Sequence, residues 1–474
     1  MKGVLPMRVK PDKIVIPVKI EPKRRRTVVS RRKFNPARSL VFGFLAIILI
    51  GTVLLKLPIS ANSRESVPFT AALFTATSAT CVTGLVVVNT ASTWSLFGRV
   101  VILCLIQIGG LGFMSVTTIF FFLMNRKIDL SQRLLMAQSL NLHDRQGVVG
   151  LVRHALAGTF ILEGAGACIL WFRFYPKYGL IKGLGMGVFH SISGFCNAGF
   201  NLIGEVGNYS SLASYSDDAV ITTTIMLLVV IGGLGFFVWE DFLRNRKFSK
   251  LHLHSKMVLM ITVCLIVSGW LIFYFTERTN PATIGNMPFP RAALAGLFES
   301  IMPRSGGFSI VNQASLRGLS KMAAMILMII GGSAGSAAGG IKNVTAGIVF
   351  LSALRSLRGK KRLSVFRRTI PEQQIVSALS ITVLALTACF IGTVAIALIQ
   401  PELPFTAILF EMVSAVATCG LSQGVTSNLI PVTRLIITVF MFFGRVGIMT
   451  VGMAAFLKRD SVERVKHPDT WIMM

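Results

Sequence analysis

A motif of about twelve residues, too short to cross a bilayer and present four times, sets the tightest limit on how this chain can fold. It reads LFTATSATCVTG at Leu73–Gly84, VFHSISGFCNAG at Val188–Gly199, LFESIMPRSGG at Leu297–Gly307 and LFEMVSAVATCG at Leu409–Gly420. Each copy has an aromatic residue, then small or hydroxyl residues, then a glycine, and an apolar run long enough to cross a membrane follows after a polar stretch. A helix needs roughly 20 apolar residues to span. A shorter segment ending in glycine between two spans therefore predicts a re-entrant helix and loop. The register of the copies agrees: PFTA occurs at Pro68–Ala71 and Pro404–Ala407, and the motif glycine follows Phe69 and Phe405 by 15 residues each. IGGLGF at Ile108–Phe113 returns at Ile231–Phe236, and FGRVGI at Phe443–Ile448 takes the same place in the last copy. Repetition on a scale of roughly 100 residues is architecture. The expected fold is an all-α membrane protein of four tandem repeats, each a first span (M1), a pore helix and a second span (M2), around one central pore.

Composition bears on this through charge. The 474 residues are 53% hydrophobic and 14% charged, the balance of an integral membrane protein. The formal net charge of +29 raises the question of a nucleic-acid partner, so its placement matters. Of 48 Lys and Arg, 34 fall in residues 1–38, 124–154, 240–256, 354–372 and the stretch after Phe456, that is, in alternate segments between spans. The positive-inside rule then places both termini in the cytoplasm. The run KRRRTVVSRRK at Lys23–Lys33 lacks the aromatic platform of a nucleic-acid-binding arm, and is better explained as a topology determinant that touches anionic lipid. It is also too long for a signal peptide, and Leu40–Leu57 behind it is long enough to span. The seven cysteines form no CxxC pair, so neither zinc nor a disulfide framework is expected.

Read in order, the chain divides into a basic cytoplasmic arm (1–38) and repeats at 39–148, 149–250, 251–370 and 371–474. The expected first spans are Leu40–Leu57, Leu151–Trp171, Met257–Phe275 and Ile375–Ile399. The expected second spans are Leu96–Leu123, Ala219–Trp239, Met322–Leu354 and Leu435–Leu457, the third interrupted by GGSAGSAAGG at Gly331–Gly340. Eight spans and four half-spans result, an even number that agrees with both ends lying on one side.

The loop ends carry the chemistry. They are Val82-Thr83-Gly84, Asn197-Ala198-Gly199, Ser305-Gly306-Gly307 and Thr418-Cys419-Gly420. A re-entrant helix whose C-terminus points to mid-membrane presents unpaired carbonyls and the negative end of its dipole, which favours a cation. Glycine then permits the positive φ needed to turn further carbonyls inward, and such carbonyls can replace the hydration shell of a monovalent ion. No loop supplies the carboxylate that a divalent ion prefers. A lone glycine after a short helix is an ordinary C-cap; four in register are not.

Two further features sit in the second spans. Gly110, Gly233 and Gly332 occupy corresponding positions in the first three repeats, and the fourth has Arg445, a cation at membrane depth. It is read as a pore residue below the loops that limits how long a cation dwells, with a structural ion pair to Glu411 or Glu299 as the alternative. The glycine-rich break cannot stay helical, since each glycine costs about 1 kcal/mol relative to alanine, and its spacing is not that of a P-loop because Ile341 separates Gly340 from Lys342.

These loops, together with IGGLGF, the break ending GGIKN and FGRVG, resemble the Trk/Ktr/HKT superfamily of potassium transporters, most closely the KtrB-type membrane subunit of bacterial Ktr uptake systems, from about Phe34 onward. The resemblance implies four repeats around one pore with a filter glycine from each, here Gly84, Gly199, Gly307 and Gly420, and a K⁺ ion at the filter. It implies an intramembrane gating loop comprising Gly331, Gly332, Ser333, Gly335, Ser336, Gly339, Gly340 and Lys342, with Arg445 beside it. It further implies a homodimer in the plasma membrane, a cytoplasmic nucleotide-binding ring (KtrA-like) docking on the basic segments, no covalent cofactor, and Na⁺ as a coupling or regulatory ion.

Two other classes remain to be weighed. A secondary carrier would bind its solute at broken helices near the midplane, but that class usually shows paired halves and this chain shows four units. An enzyme is the weaker option: of the six histidines only His190 lies in a repeated motif, where it is read as a packing or polar contact, and His252 and His254 lie in a basic cytoplasmic turn where no carboxylate partners and no metal are expected.

Overall fold

In a computed structural model of the chain, residues 36–112, 148–203, 212–360 and 362–447 are described. The N-terminal basic arm, the far parts of the expected spans Leu96–Leu123 and Leu435–Leu457, the segment between the first two repeats and the C-terminal tail lie outside the described residues.

Four long helices carry the apolar load: α1 (Pro36–Lys56), with α4 (Val148–Tyr178), α8 (Leu253–Glu277) and α12 (Glu372–Ile399) further along. Each contains a stretch long and apolar enough to cross a membrane, with mean hydropathy from 1.6 to 2.4. They coincide with the four expected first spans. Their outward faces are apolar and exposed, as at Phe42, Ile161, Val263 and Phe390, which fits a lipid solvent rather than water.

Between them come the short helices of the repeated motif: α2 (Phe69–Thr80), α5 (Leu180–Phe195), α9 (Phe289–Ile301) and α13 (Phe405–Val416). Three begin directly after a proline, Pro68, Pro288 or Pro404, whose fixed φ and extended ψ turn the chain into the helix. Their C-terminal halves are buried, while the first turns leave Phe69, Leu180, Phe289 and Phe405 exposed, and the Phe of each motif, Phe74, Phe189, Phe298 and Phe410, sits in one continuous core.

The second spans are where expectation and structure part. Only the third was expected to be interrupted. Instead α3 (Leu96–Leu111) stops at Gly112 (φ 81°), α6 (Ala219–Leu234) at Gly235 (φ 92°) and α14 (Pro431–Val446) at Gly447 (φ 91°). In the second repeat the chain turns by 92° at Gly235 into α7 (Phe236–Asn245). In the third, α10 (Gly318–Ile329) and α11 (Asn343–Leu357) flank the glycine-rich break. The physical reason is the last glycine of IGGLG and FGRVG, which adopts a backbone closed to other residues and ends the helical hydrogen bonding there. Before α12 a two-residue antiparallel hairpin pairs β1 (Ser364–Val365) with β2 (Arg368–Thr369) within the basic hinge.

Candidate functional site

The four motif loops share one backbone pattern. Val82, Asn197, Ser305 and Thr418 have φ of 48–66°, and two residues on Gly84, Gly199, Gly307 and Gly420 have φ of 69–97°. Between them Thr83, Ala198, Gly306 and Cys419 keep negative φ. A residue in the left-handed region on either side of one that is not turns successive amides to one side and successive carbonyls to the other. The amides have partners. Thr83, Ala198 and Cys419 donate to the carbonyls of Ser78, Ser193 and Ser414 at 2.7–2.8 Å, and Gly307 donates to Met302 at 3.2 Å. Gly84 and Gly420 donate to the Ser78 and Ser414 hydroxyls at 3.1 and 3.0 Å. Each loop is thus fastened to the end of its own pore helix.

The loops also meet each other, and in cyclic order. A methyl group on Gly84 would strike the carbonyl oxygen of Ala198; on Gly199, the Cα of Gly307 at 2.8 Å; on Gly307, the carbonyl oxygen of Cys419; on Gly420, the carbonyl oxygen of Thr83. First to second, second to third, third to fourth and fourth to first, the ring closes. No side chain other than hydrogen fits between one loop and the next.

One loop departs from the others. Phe298 precedes Gly307 by nine residues, where Phe74, Phe189 and Phe410 precede their glycines by ten. Met302 falls where the other loops have serine, and Gly306 and Gly307 both take its carbonyl.

A further register joins His190, Glu299 and Glu411, which the sequence reading names only singly. The position after the motif Phe holds Thr75, His190, Glu299 and Glu411, all buried. Three of them grip the chain that follows their glycine. His190 Nε2 accepts from the Leu202 amide at 3.3 Å, with Nδ1 2.8 Å from the Met186 carbonyl. Glu299 accepts from Gln313 at 2.7 Å, and Glu411 accepts from Thr426 at 2.9 Å and from the Ser422 hydroxyl. The same offset from a repeated aromatic was the signal.

Glu299 and Glu411 are therefore engaged, and the ion pair considered for Arg445 does not form. Arg445 instead donates to three carbonyls: Ala337 in the glycine-rich break, at 2.5 Å, and Gly109 and Gly110 at the end of α3, the latter at 3.4 Å. A helix cut short leaves its last carbonyls without amides, and the guanidinium supplies donors to them. The rest of the break is tied to the second repeat: Ser333 and Ala337 donate to the Gly233 and Gly232 carbonyls at 2.9 and 3.3 Å, and Phe236 donates to Gly335 at 3.1 Å. Its two ends close on each other where Gly331 donates to Ile341 at 2.9 Å and Ile341 to Ile329 at 3.0 Å. Inside, Ser336 donates to the Ser333 carbonyl at 2.7 Å and Lys342 to that of Ala338 at 2.8 Å. Gly339 lies directly against Thr418 of the fourth loop, and Gly332 and Gly340 pack within the break itself and on α6 and α10. The break therefore adjoins the ring of loops.

A family model described as TrkH, cation transport protein, matches residues 27–465. The chain belongs to this family. Among relatives of this chain, the potassium/sodium uptake protein NtpJ of Enterococcus hirae is 36% identical over 449 residues, covering 94% of this chain and 98% of the relative. The Ktr system potassium uptake protein B of Bacillus subtilis is 38% identical over 442 residues, 93% and 97% of the two chains. The crystal structure of the potassium transporter TrkH from Vibrio parahaemolyticus superposes with a TM-score of 0.69 over 90% of this chain and 86% of that one, at 15% identity, a likeness of fold. This TrkH-family protein is thus a multi-pass membrane protein of an ion uptake family rather than an enzyme. Among the described residues no group of three or more His, Cys, Asp or Glu side chains is placed to hold a metal.

Proposed function

We propose that this protein carries K⁺ into the cell through a single pore whose filter is built from the backbone of Val82–Gly84, Asn197–Gly199, Ser305–Gly307 and Thr418–Cys419–Gly420. The observation that carries the reading is the closed cyclic contact of the four glycine loops, each with its amides turned back to its own pore helix. Carbonyls freed in this way, at the C-terminal ends of four helix dipoles, suit a weakly hydrated monovalent cation. In this reading the eight crossing segments are the four long helices and the four glycine-broken ones, the divisions near residues 39, 149, 251 and 371 are repeat boundaries, and both termini lie in the cytoplasm of a plasma-membrane protein.

The break from Gly331 to Gly340, with Lys342 and Arg445, acts as the gate. Its nearness to Thr418 and its ties to the second and fourth repeats support that role. The basic hairpin and hinge around Arg355–Arg368 are the docking side for a cytoplasmic regulatory ring, and the functional unit is a homodimer in anionic lipid, by likeness to Ktr systems. The name of the Enterococcus relative supports Na⁺ as a second cation.

The test is Rb⁺ uptake by potassium-starved cells expressing the protein, with and without competing Na⁺. Saturable Rb⁺ uptake displaced by K⁺ and only weakly by Na⁺ is expected. No Rb⁺ flux, or equal competition by an organic solute, would end the filter reading.

A further inference from the structure

Glu163 lies midway along α4, 5% exposed, in the stretch of that helix apolar enough to cross a membrane. None of the ion pairs among the described residues involves it. A carboxylate at such depth is rare without a task. Its contacts lead to the second loop. Both carboxylate oxygens accept from Gln107 Nε2 on α3 at 3.1 Å, and Cys196 Sγ lies 3.7 Å from Oε1, within reach of its thiol hydrogen. Cys196 stands immediately before Asn197-Ala198-Gly199, and its thiol is also 3.7 Å from Gln107 Oε1. Gly110 has no room for a methyl group beside that sulfur.

The repeats supply an internal control. The Glu163 carbonyl accepts from the Ser191 hydroxyl at 2.6 Å, two residues after the motif Phe; in the third repeat Ile266 accepts from Ser300 at 2.7 Å in the same way. Three residues further on, Gly166, Gly269 and Gly392 pack against Ser191, Ser300 and Met412. The positions matching Glu163 are therefore Ile266 and Cys389. The helix packs on its pore helix equally well with an aliphatic side chain or a thiol there, so packing does not call for a carboxylate.

We propose that Glu163 is a specificity-determining positioning residue: through Cys196 and Gln107 it holds the second loop at the height at which its carbonyls meet those of the other three, and so sets the preference among monovalent cations. The proposal rests on the reading of the four loops as a filter. Its chemistry is that of a charge-assisted hydrogen bond behind the loop, on the side away from the ion. The same α3 segment that supplies Gln107 ends in the Gly109 and Gly110 carbonyls held by Arg445. The carboxylate and the guanidinium thus brace one helix end from two sides.

The test compares wild-type protein with Glu163→Gln, Glu163→Asp and Cys196→Ala in Rb⁺ uptake at graded Na⁺, normalised to the amount of protein in the membrane. Losing a hydrogen bond to a charged group predicts that Glu163→Gln needs about tenfold less Na⁺ to halve Rb⁺ uptake. Glu163→Asp should recover part of the discrimination and Cys196→Ala should shift it in the same direction as the glutamine variant; if Glu163→Gln does not reach the membrane, Cys196→Ala decides. A wild type that discriminates while these variants match it overturns this proposal alone. A wild type with no Rb⁺ uptake overturns the filter reading and this proposal with it.

Discussion

The ring of loops and the break beside it both abandon helical hydrogen bonding inside the membrane, yet they are held in opposite ways. The backbone amides of the loops are fastened locally, since Thr83, Ala198 and Cys419 reach carbonyls five residues back and the Ser78 and Ser414 hydroxyls serve amides six residues on, while bonds to other repeats are made by side chains such as the Cys419 thiol to the Pro303 carbonyl at 3.1 Å. The break has some internal bonds, but its outer ones go to other repeats: to Gly232 and Gly233, from Phe236, and from Arg445. Local fastening makes a loop whose shape survives movement of its neighbours. Remote fastening makes a segment whose position depends on where those neighbours stand, which is what a gate requires and what a filter must avoid.

The comparison breaks most readily at the loops. Gly199→Ala would put a methyl group 2.8 Å from the Gly307 Cα and would hold alanine at φ 69°. The left-handed backbone alone costs roughly 1–2 kcal/mol, and the clash cannot be relieved by a side-chain rotation because the atom met is backbone. Rb⁺ uptake should fall by about a hundredfold or more, since a shift of one loop disturbs a ring closed by four. The equivalent change at Gly112, where a methyl group meets nothing among the described residues, carries the backbone cost alone and should be much milder. Equal losses in the two variants would mean that ring closure is not what matters.

Arg445→Ala probes the other half. Removing the guanidinium unpins Ala337 from the end of α3 and leaves the Gly109 and Gly110 carbonyls without that donor. Hydrogen bonds to a charged group contribute roughly 1.5–3 kcal/mol, enough to move a gating equilibrium about tenfold or more. Rb⁺ uptake per protein should therefore rise, with the preference for K⁺ over Na⁺ much less affected than by changes in the loops. Arg445→Lys, which keeps the charge but not the forked donors, should fall between. Reduced yield with unchanged uptake and ion preference would assign Arg445 a purely structural part.

How much of this was legible in the sequence follows the same division. The pore helices and their loops were readable because aromatic, small residues and glycine recur at fixed offsets, and local fastening needs only local residues. That the four loops share one axis is the expectation their repetition carries; which loop touches which is not legible, because it depends on contacts across more than 300 residues, from Gly84 to Gly420. The helix ends at Gly112, Gly235 and Gly447 are not legible because hydropathy runs on through a glycine and does not register its φ. The carbonyl partners of Arg445 are not legible for a related reason, and the ion pair offered as the alternative reading does not form. Carboxylates were weighed as its counter-charges, but an interrupted helix exposes carbonyls, and those were nearer.

The smallest effect expected concerns the carboxylates at the position after the motif Phe. Glu411 ties the fourth pore helix to the chain after its loop through Ser422 and Thr426, and the hydroxyl of the matching residue of the first repeat, Thr75, makes no hydrogen bond among the described residues. The first loop keeps the shared backbone pattern without such a tie, so the tie is a brace rather than a condition of the fold. Glu411→Gln keeps the shape and one acceptor oxygen, and exchanges charge-assisted bonds for neutral ones, a difference of about 1 kcal/mol. Combined with Thr426→Val in a double-mutant cycle on thermal unfolding in detergent, it should show a coupling of that order, while Rb⁺ uptake changes less than about threefold. A loss of uptake as large as that of Gly199→Ala would mean that the fourth loop, unlike the first, is not held by its own backbone, and that the contrast between local and remote fastening fails within the ring itself.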